Sequence, residues 1–202
     1  MRQISMALQT YATNNNGQLP PAYIADENGR PMHSWRVLLL PYMEQQALYD
    51  RYNFDEPWNG PNNSRLAGEI PQLYQCPDDD RPRGDSQRPW TSYVVVVGPN
   101  TIWPGTESGG LDRIPDGSDR TLLLVEVRDS GINWMEPRDL TLEEMNPRIN
   151  GEGRLGISSV HPNVAHFMFA DGHGGPLSDD LKPDTLRQLI QIDDGAPSYT
   201  DF

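Results

Sequence analysis

The most informative stretch of the chain for its architecture is His161-Pro-Asn-Val-Ala-His-Phe-Met-Phe-Ala-Asp171-Gly172. Its part from Val164 to Ala170 is rich in residues that favour strands, and turn residues bound it, which is typical of a β-strand. Asp171-Gly172 directly after this run is a strong tight-turn signal. The following His173-Gly174-Gly175-Pro176 makes the returning strand short. The stretch therefore predicts an antiparallel hairpin late in the chain.

Two earlier runs have the same character as the hairpin strand. They extend from Thr91 to Val97 and from Thr121 to Val127, and Gly, Pro or Asp residues bound each of them. Short β-rich runs bounded in this way predict strands. We therefore expect the middle and late parts of the chain to form an antiparallel sheet.

The chain opens with an amphipathic helix. Ile4, Ala7, Leu8 and Tyr11 follow the i, i+3, i+4, i+7 spacing of one helical face, and Asn14-Asn15-Asn16-Gly17 then ends the helix. We expect this apolar stripe to pack on the sheet. The helix begins without an N-cap residue, which suggests that sequence is missing upstream.

Other helical signals lie in the first half and at the end of the chain. Ser34 can cap a helix that Pro41 then kinks or restarts, and Leu66 to Leu73 is a candidate short helix. Pro183 suits the first turn of a last helix that reaches Ile192. Asp78 to Pro89 reads as a charged loop, and its acidic start is a candidate contact for partners.

These patterns predict an α+β fold in one domain that covers residues 1–202. We divide it into an opening helix, a helical and loop-rich insert, a sheet region that contains the hairpin, and a C-terminal helix with a tail. Their expected ranges are 1–16, 17–90, 91–178 and 179–202.

Composition limits the function classes. Sixteen Lys and Arg residues against 29 Asp and Glu residues give a net charge of −13, and the basic residues are scattered singly. Binding to nucleic acid needs clustered cations, so we exclude it and expect cations or neutral surfaces as partners. No run approaches the 18 or so apolar residues of a spanning helix, and the start lacks an apolar signal segment, so the chain as written is expected to be soluble.

The hairpin stretch also carries a recognisable motif, a histidine followed after nine residues by Asp-Gly. With it, the chain resembles a large bacterial family of prepilin-like proteins that bear this H-x(9)-D-G motif. Further blocks that resemble the family follow in the family's order and cover nearly the whole chain: 2–11, 19–23, 33–45, 56–63, 76–79, 91–93, 116–121 and 133–140.

The resemblance implies an architecture similar to that of type IV pilins and type II secretion pseudopilins. In those proteins the second half of a long N-terminal helix packs on an antiparallel sheet, and residues 1–16 match that half. Family members begin with a basic leader, a processing and methylation site and an apolar helix of about 20 residues, enough to cross a bilayer. None of these precedes Met1 in the sequence as given. The resemblance implies that the native product is membrane-anchored and extracytoplasmic, with these residues as its exported part.

The function expected from the resemblance is non-catalytic. It is that of a subunit or accessory factor in a pilus-like or secretion-associated surface assembly, with other pilin-like subunits or secretion components as partners. The alternative is a stand-alone extracytoplasmic binding module for polysaccharide or protein ligands. Within the motif, His161, Asp171 and Gly172 are expected to have structural roles that fix the hairpin.

Zinc is a weaker alternative at the hairpin. His161, His166, Asp171 and His173 form a ligand set that zinc accepts, and a metal-dependent hydrolase would use this region. In a strand, however, His161 and His166 point to opposite faces, so convergence needs a bend at Pro162 or Asn163.

Calcium is a second weak alternative. Asp112, Asp116 and Asp119 resemble a calcium loop, but the twelve-residue pattern of an EF-hand is absent. A turn before the strand that begins at Thr121 explains these aspartates more simply. We therefore expect no resident cofactor.

The chain has one cysteine that could act as a nucleophile. Cys76, the only cysteine, is followed by Pro77 and acidic residues that disfavour a thiolate, so it reads as a small apolar residue. Sequence signatures of a nucleophile elbow, a phosphate loop or a zinc protease helix are absent.

Trp58 and Trp103, each beside Pro and Gly, are candidate exposed contacts for a polysaccharide or protein partner.

Overall fold

The computed structural model describes residues 1–79 and 87–195, so most of the charged loop after Asp79 lies outside the described residues. The α-helices in this part of the chain are α1 Arg2–Asn14, α2 Trp35–Leu38, α3 Gln46–Tyr49 and α4 Pro183–Ile190. Shorter 3₁₀ helices span Leu40–Met43, Asn63–Leu66 and Gln72–Tyr74. None of the described helices has both the length and the apolar character that a bilayer span requires.

The strands are β1 Tyr23–Ala25, β2 Pro31–Ser34, β3 Tyr93–Val94, β4 Val96–Val97, β5 Leu122–Glu126, β6 Leu140–Thr141, β7 Val164–Phe169 and β8 Gly174–Ser178. The main sheet is antiparallel with the order β3-β5-β7-β8. β1 and β2 form a separate antiparallel pair, and β4 and β6 pair in parallel. The α+β class expected from the sequence is confirmed.

The main sheet has a hydrophobic core on each side. Leu124 of β5 and Met168 of β7 belong to the core that includes α1. Val125 and Phe167 belong to the other core, which contains the apolar face of α4. The register shifts between Leu122 and Leu124, and this irregularity lets two successive leucines of β5 join the same core.

Helix α1 buries the stripe that the sequence predicts, with Ile4 and Leu8 fully enclosed. It ends at Asn14, and Gly17 adopts a left-handed φ of 79° while its N–H donates to the Ala12 carbonyl. The closest neighbours of α1 are the 3₁₀ helices at 40–43 and 72–74. The helix therefore shares a core with the sheet, although its most extensive contacts come from the insert.

The helices of the insert are shorter than the sequence suggests. The Ser34 hydroxyl accepts the Arg36 N–H and caps α2, and a 3₁₀ helix around Pro41 follows directly. The predicted helix from Leu66 to Leu73 is wrong, because this segment contains only the ends of two separate 3₁₀ helices. Pro71 explains the break, since the residue before a proline avoids the α conformation.

The predicted hairpin is confirmed. Strand β7 pairs with β8 from Val164 opposite Ser178 to Met168 opposite Gly174. Gly172 lies in the connecting turn with a φ of 92°, a conformation that glycine adopts without steric cost. The returning strand is five residues long and tolerates Pro176 because it lies at the edge of the sheet.

Candidate functional site

A pocket of about 270 Å³ lies between the start of α1 and the beginning of β7. Besides Met1 and Arg2, its titratable lining residues are Cys76, Asp78, Tyr93, Glu126, His161 and His166. These residues come from distant parts of the chain, so the fold alone brings them together.

Cys76, Glu126 and His161 form the centre of the pocket. Each offers one ligand atom, and these atoms lie within 4.8 Å of one another. Cys76 and Glu126 are buried, with 6 % and 2 % of their surface exposed, while His161 is half-buried. A thiol, a carboxylate and an imidazole at this separation form a candidate metal-binding group.

The position of Glu126 follows from the alternation of side chains along β5. Val125 and Val127 belong to the core that contains α4, so the side chain between them faces the pocket. One carboxylate oxygen of Glu126, Oε2, accepts the His166 backbone N–H at 3.1 Å and lies 3.0 Å from His166 Nδ1. These contacts offset part of the cost of burying a carboxylate.

Cys76 follows the 3₁₀ helix at 72–74, and its backbone N–H donates to the Ser92 hydroxyl at 3.0 Å. Burial raises the pKa of its thiol to about 11, and the neighbouring Glu126 carboxylate acts in the same direction. Hydrogen bonds from the Asp78 backbone and the Tyr93 side chain oppose this rise in the pKa. The thiol is therefore protonated at neutral pH.

A bend in the chain brings His161 to the pocket. Asn163 adopts a left-handed φ of 64°, so the strand alternation is interrupted between His161 and His166. Their ring centroids lie 4.6 Å apart, edge to face. His161 Nε2 also lies 3.5 Å from an Asp78 carboxylate oxygen.

The structure does not bring together the four residues of the weaker zinc alternative, His161, His166, Asp171 and His173. Asp171 and His173 lie at the hairpin turn, where Asp171 Oδ1 is 2.6 Å from His173 Nδ1 and also accepts the His173 N–H. His161 and His166 lie toward the other end of β7, beside Asp78 and Glu126. Asp171 and Gly172 thus lie in the turn, whereas His161 lies toward the other end of β7, where its ring contacts that of His166.

The calcium set is not brought together either. Asp116 accepts the backbone N–H groups of Asp194 and Gly195, which ties the segment after α4 to this loop. Asp119 lies 3.8 Å from Arg120. Within the described residues, Asp112, Asp116 and Asp119 do not form a metal-ligand group.

The prediction that Trp103 is exposed is wrong. Trp103 is 1 % exposed, its indole N–H donates to the Leu123 carbonyl at 2.9 Å, and its ring lies 5.7 Å from that of Trp35. Trp58 is half-buried against the core that includes α1. The aromatic contact surface expected from the sequence therefore keeps only Trp58 as a candidate.

Glu126 was not among the site residues predicted from the sequence, and Cys76 was predicted to be a small apolar residue. The available signal for Glu126 was one acidic residue in the otherwise apolar run from Leu122 to Val127. A lone acid in a buried strand requires a partner, because an unpaired buried charge is costly.

Comparison with known proteins places the chain in a family. Residues 1–102 match the family described as "Protein of unknown function (DUF1559)". The chain belongs to the DUF1559 family. The match includes α1, Trp58 and Cys76, while Glu126 and His161 lie beyond it. No curated protein and no solved structure matches the chain.

Proposed function

We propose that this DUF1559 protein is a non-catalytic subunit or accessory factor of a pilus-like or secretion-associated surface assembly. Its partners are other pilin-like subunits or secretion components. In its full-length form the protein is extracytoplasmic and anchored in the membrane. The resemblance of the chain to prepilin-like proteins, through the H-x(9)-D-G motif and the blocks before it, motivates this proposal.

The main support for the proposal is that α1 is fixed to the core by one face and has an exposed apolar side chain on another. One face of the helix, with Ile4 and Leu8, is buried in the core, while Met6 on another face is 61 % exposed. Methionine is a flexible apolar side chain that suits helix packing. A helix that is fixed to the body on one side and apolar at a surface position on another can pack against a neighbouring helix.

The surface beside α1 supports the same partner. An open groove of about 960 Å³ lies beside the helix, and its lining includes Met6 and Thr10 of α1 together with Tyr42 and Leu73 of the insert. We assign this groove to the helix of a neighbouring pilin-like subunit. Packing there buries Met6, which is among the most exposed large apolar side chains of the described residues.

The state of Cys76 argues against one kind of catalysis, that by a cysteine nucleophile. Nucleophilic catalysis by cysteine needs the thiolate, which a lowered pKa normally supplies. Burial instead raises the pKa of Cys76. The alternative is a stand-alone binding module for polysaccharide or protein ligands. Its candidate contacts were Trp58 and Trp103, and the burial of Trp103 removes one of the two.

The test uses the full reading frame expressed in the source bacterium. A photo-crosslinking amino acid replaces Met6 on α1, and in a matched control it replaces Glu152, an exposed residue of the segment that packs on the α4 side of the sheet. We expect subunit cross-links in the membrane fraction from position 6 and none from position 152. A monomer in the soluble fraction without cross-links at position 6 would favour the binding module.

Genomic sequence gives an independent check of the anchor. An upstream frame that encodes an apolar stretch with a Gly-Phe-Thr-Leu-type processing site supports the proposal. An in-frame stop codon just before Met1, with a ribosome-binding site that serves Met1, contradicts it.

A further inference from the structure

We propose that Cys76, Glu126 and His161 bind one divalent transition-metal ion, with zinc as the expected ion. The proposed site goes beyond the assembly function and does not depend on it. The ion would link three segments: the loop after the 3₁₀ helix at 72–74 through Cys76, strand β5 through Glu126, and the segment before β7 through His161. The site lies beside the start of α1.

The donor set selects the metal class. Thiolate, imidazole and carboxylate are all ligands of zinc, whereas calcium and magnesium prefer oxygen ligands alone. In a tetrahedral zinc site with bonds of about 2.0–2.3 Å, ligand atoms lie roughly 3.3–3.7 Å apart. Since the three ligand atoms lie within 4.8 Å of one another, side-chain rotations that bring them about 1 Å closer complete the site.

The surrounding contacts hold the ligands in place. His166 contacts the Glu126 carboxylate through its ring and its backbone N–H. The Ser159 hydroxyl accepts the His161 N–H at 3.1 Å, next to the bend at Asn163. Such outer contacts orient metal ligands in known sites. Three protein ligands leave a fourth position, for which water or the nearby Asp78 carboxylate is available.

A cation also resolves an electrostatic conflict in the pocket. A thiolate and a carboxylate side by side in a buried site repel each other, so holding both ligands in their charged form is costly unless a cation binds between them. On binding, the S–H bond breaks, a sulfur–metal bond forms and the proton is released to solvent. The ion thus neutralises the two negative ligands together.

The test is metal binding by the purified chain after treatment with a chelator. Zinc affinity is measured by competition with a chromophoric chelator, and Co²⁺ is used as a spectroscopic probe. We expect one ion per chain and a Co²⁺ spectrum with a sulfur-to-metal charge-transfer band. Cys76→Ser should remove that band, and Cys76→Ser and His161→Gln should each lower zinc affinity at least about tenfold.

His173→Gln is the matched control, because His173 also contacts a carboxylate but lies at the hairpin turn. Its affinity should equal that of the unmodified chain. His161 is half-buried, so His161→Gln is expected to fold, and metal-free circular dichroism melts check this even where Cys76→Ser fails to fold. The proposal is overturned if the chain takes up no stoichiometric metal, or if His161→Gln leaves affinity and the charge-transfer band unchanged.

Discussion

The guanidinium group of Arg36 contacts the carboxylate of Asp139 in the protein interior, where solvent reaches 0 % and 2 % of the two side chains. Asp139 also accepts the Val95 N–H at 3.0 Å and the Trp35 indole N–H at 3.1 Å. Arg36 donates in turn to the Ser34 hydroxyl at 2.8 Å. The pair joins α2 to β3–β4 and to the segment before β6, so it connects the insert to the sheet region.

Replacing Asp139 with Ala should destabilise the protein by about 3–5 kcal/mol, because Arg36 would remain buried without its partner. Urea denaturation measures the free energy of unfolding. The double variant Arg36→Met, Asp139→Ala is the control, and it should lose less stability than the sum of the single variants. Additive losses would show that the two side chains are not coupled.

Helix α1 should be an integral part of the folded body. Leu8 is fully buried, so Leu8→Ala is expected to cost about 2–5 kcal/mol of unfolding free energy. Met6→Ala on the exposed face is the matched control and should change stability by no more than about 0.5 kcal/mol. Equal melting temperatures for both variants would mean that α1 is a free arm.

The buried His33 predicts a pH dependence of stability. Its Nδ1 lies 2.9 Å from the Tyr52 hydroxyl and its Nε2 lies 3.1 Å from the Phe54 carbonyl oxygen. Burial lowers the pKa of His33 below its ordinary value of 6.5, against the opposing effect of the Phe54 carbonyl. The folded state therefore keeps this ring neutral at pH values where the unfolded chain protonates it.

The direction of the pH effect on stability follows from which state of the protein binds a proton first. As pH falls through 6.5, the unfolded state binds a proton before the folded state does, so the contribution of His33 to stability falls toward the folded pKa. Urea denaturation at several pH values from above to below 6.5 should show this loss. His33→Gln should reduce this loss. If the free energy of unfolding of His33→Gln varied with pH as steeply as that of the unmodified chain, His33 would not be the group responsible.

The hairpin turn should depend on the absence of a side chain at Gly172. This residue has a φ of 92°, which residues with a side chain rarely adopt, whereas the Gln9 side-chain amide, 2.5 Å from an added Cβ, can move aside. Gly172→Ala is therefore expected to destabilise by more than about 1 kcal/mol. Gly175→Ala is the control, since an added Cβ there meets nothing within 4 Å. If urea denaturation gave the same loss of stability for Gly172→Ala and Gly175→Ala, the positive φ of Gly172 would not be the cause of the loss.

The local elements of this protein were predictable from short-range sequence patterns. The apolar stripe of α1 with its stop before Gly17, the hairpin turn at Asp171-Gly172 and the proline start of α4 were all predictable. Each depends on residues within one or two turns of one another, because helical spacing and turn chemistry are short-range effects. The prediction of a helix from Leu66 to Leu73 was wrong, because Pro71 interrupts the helical spacing of apolar residues in this segment.

The contacts between distant residues, by contrast, became apparent from the packing of the folded chain. Cys76, Glu126 and His161 converge because β5 turns one acid toward the core of α1 and because Asn163 bends the chain before β7. Burial of Trp103 likewise depends on its packing against Trp35. Burial and convergence are set by which faces of the sheet and helices pack together, a long-range choice that residue spacing along a single sequence does not encode.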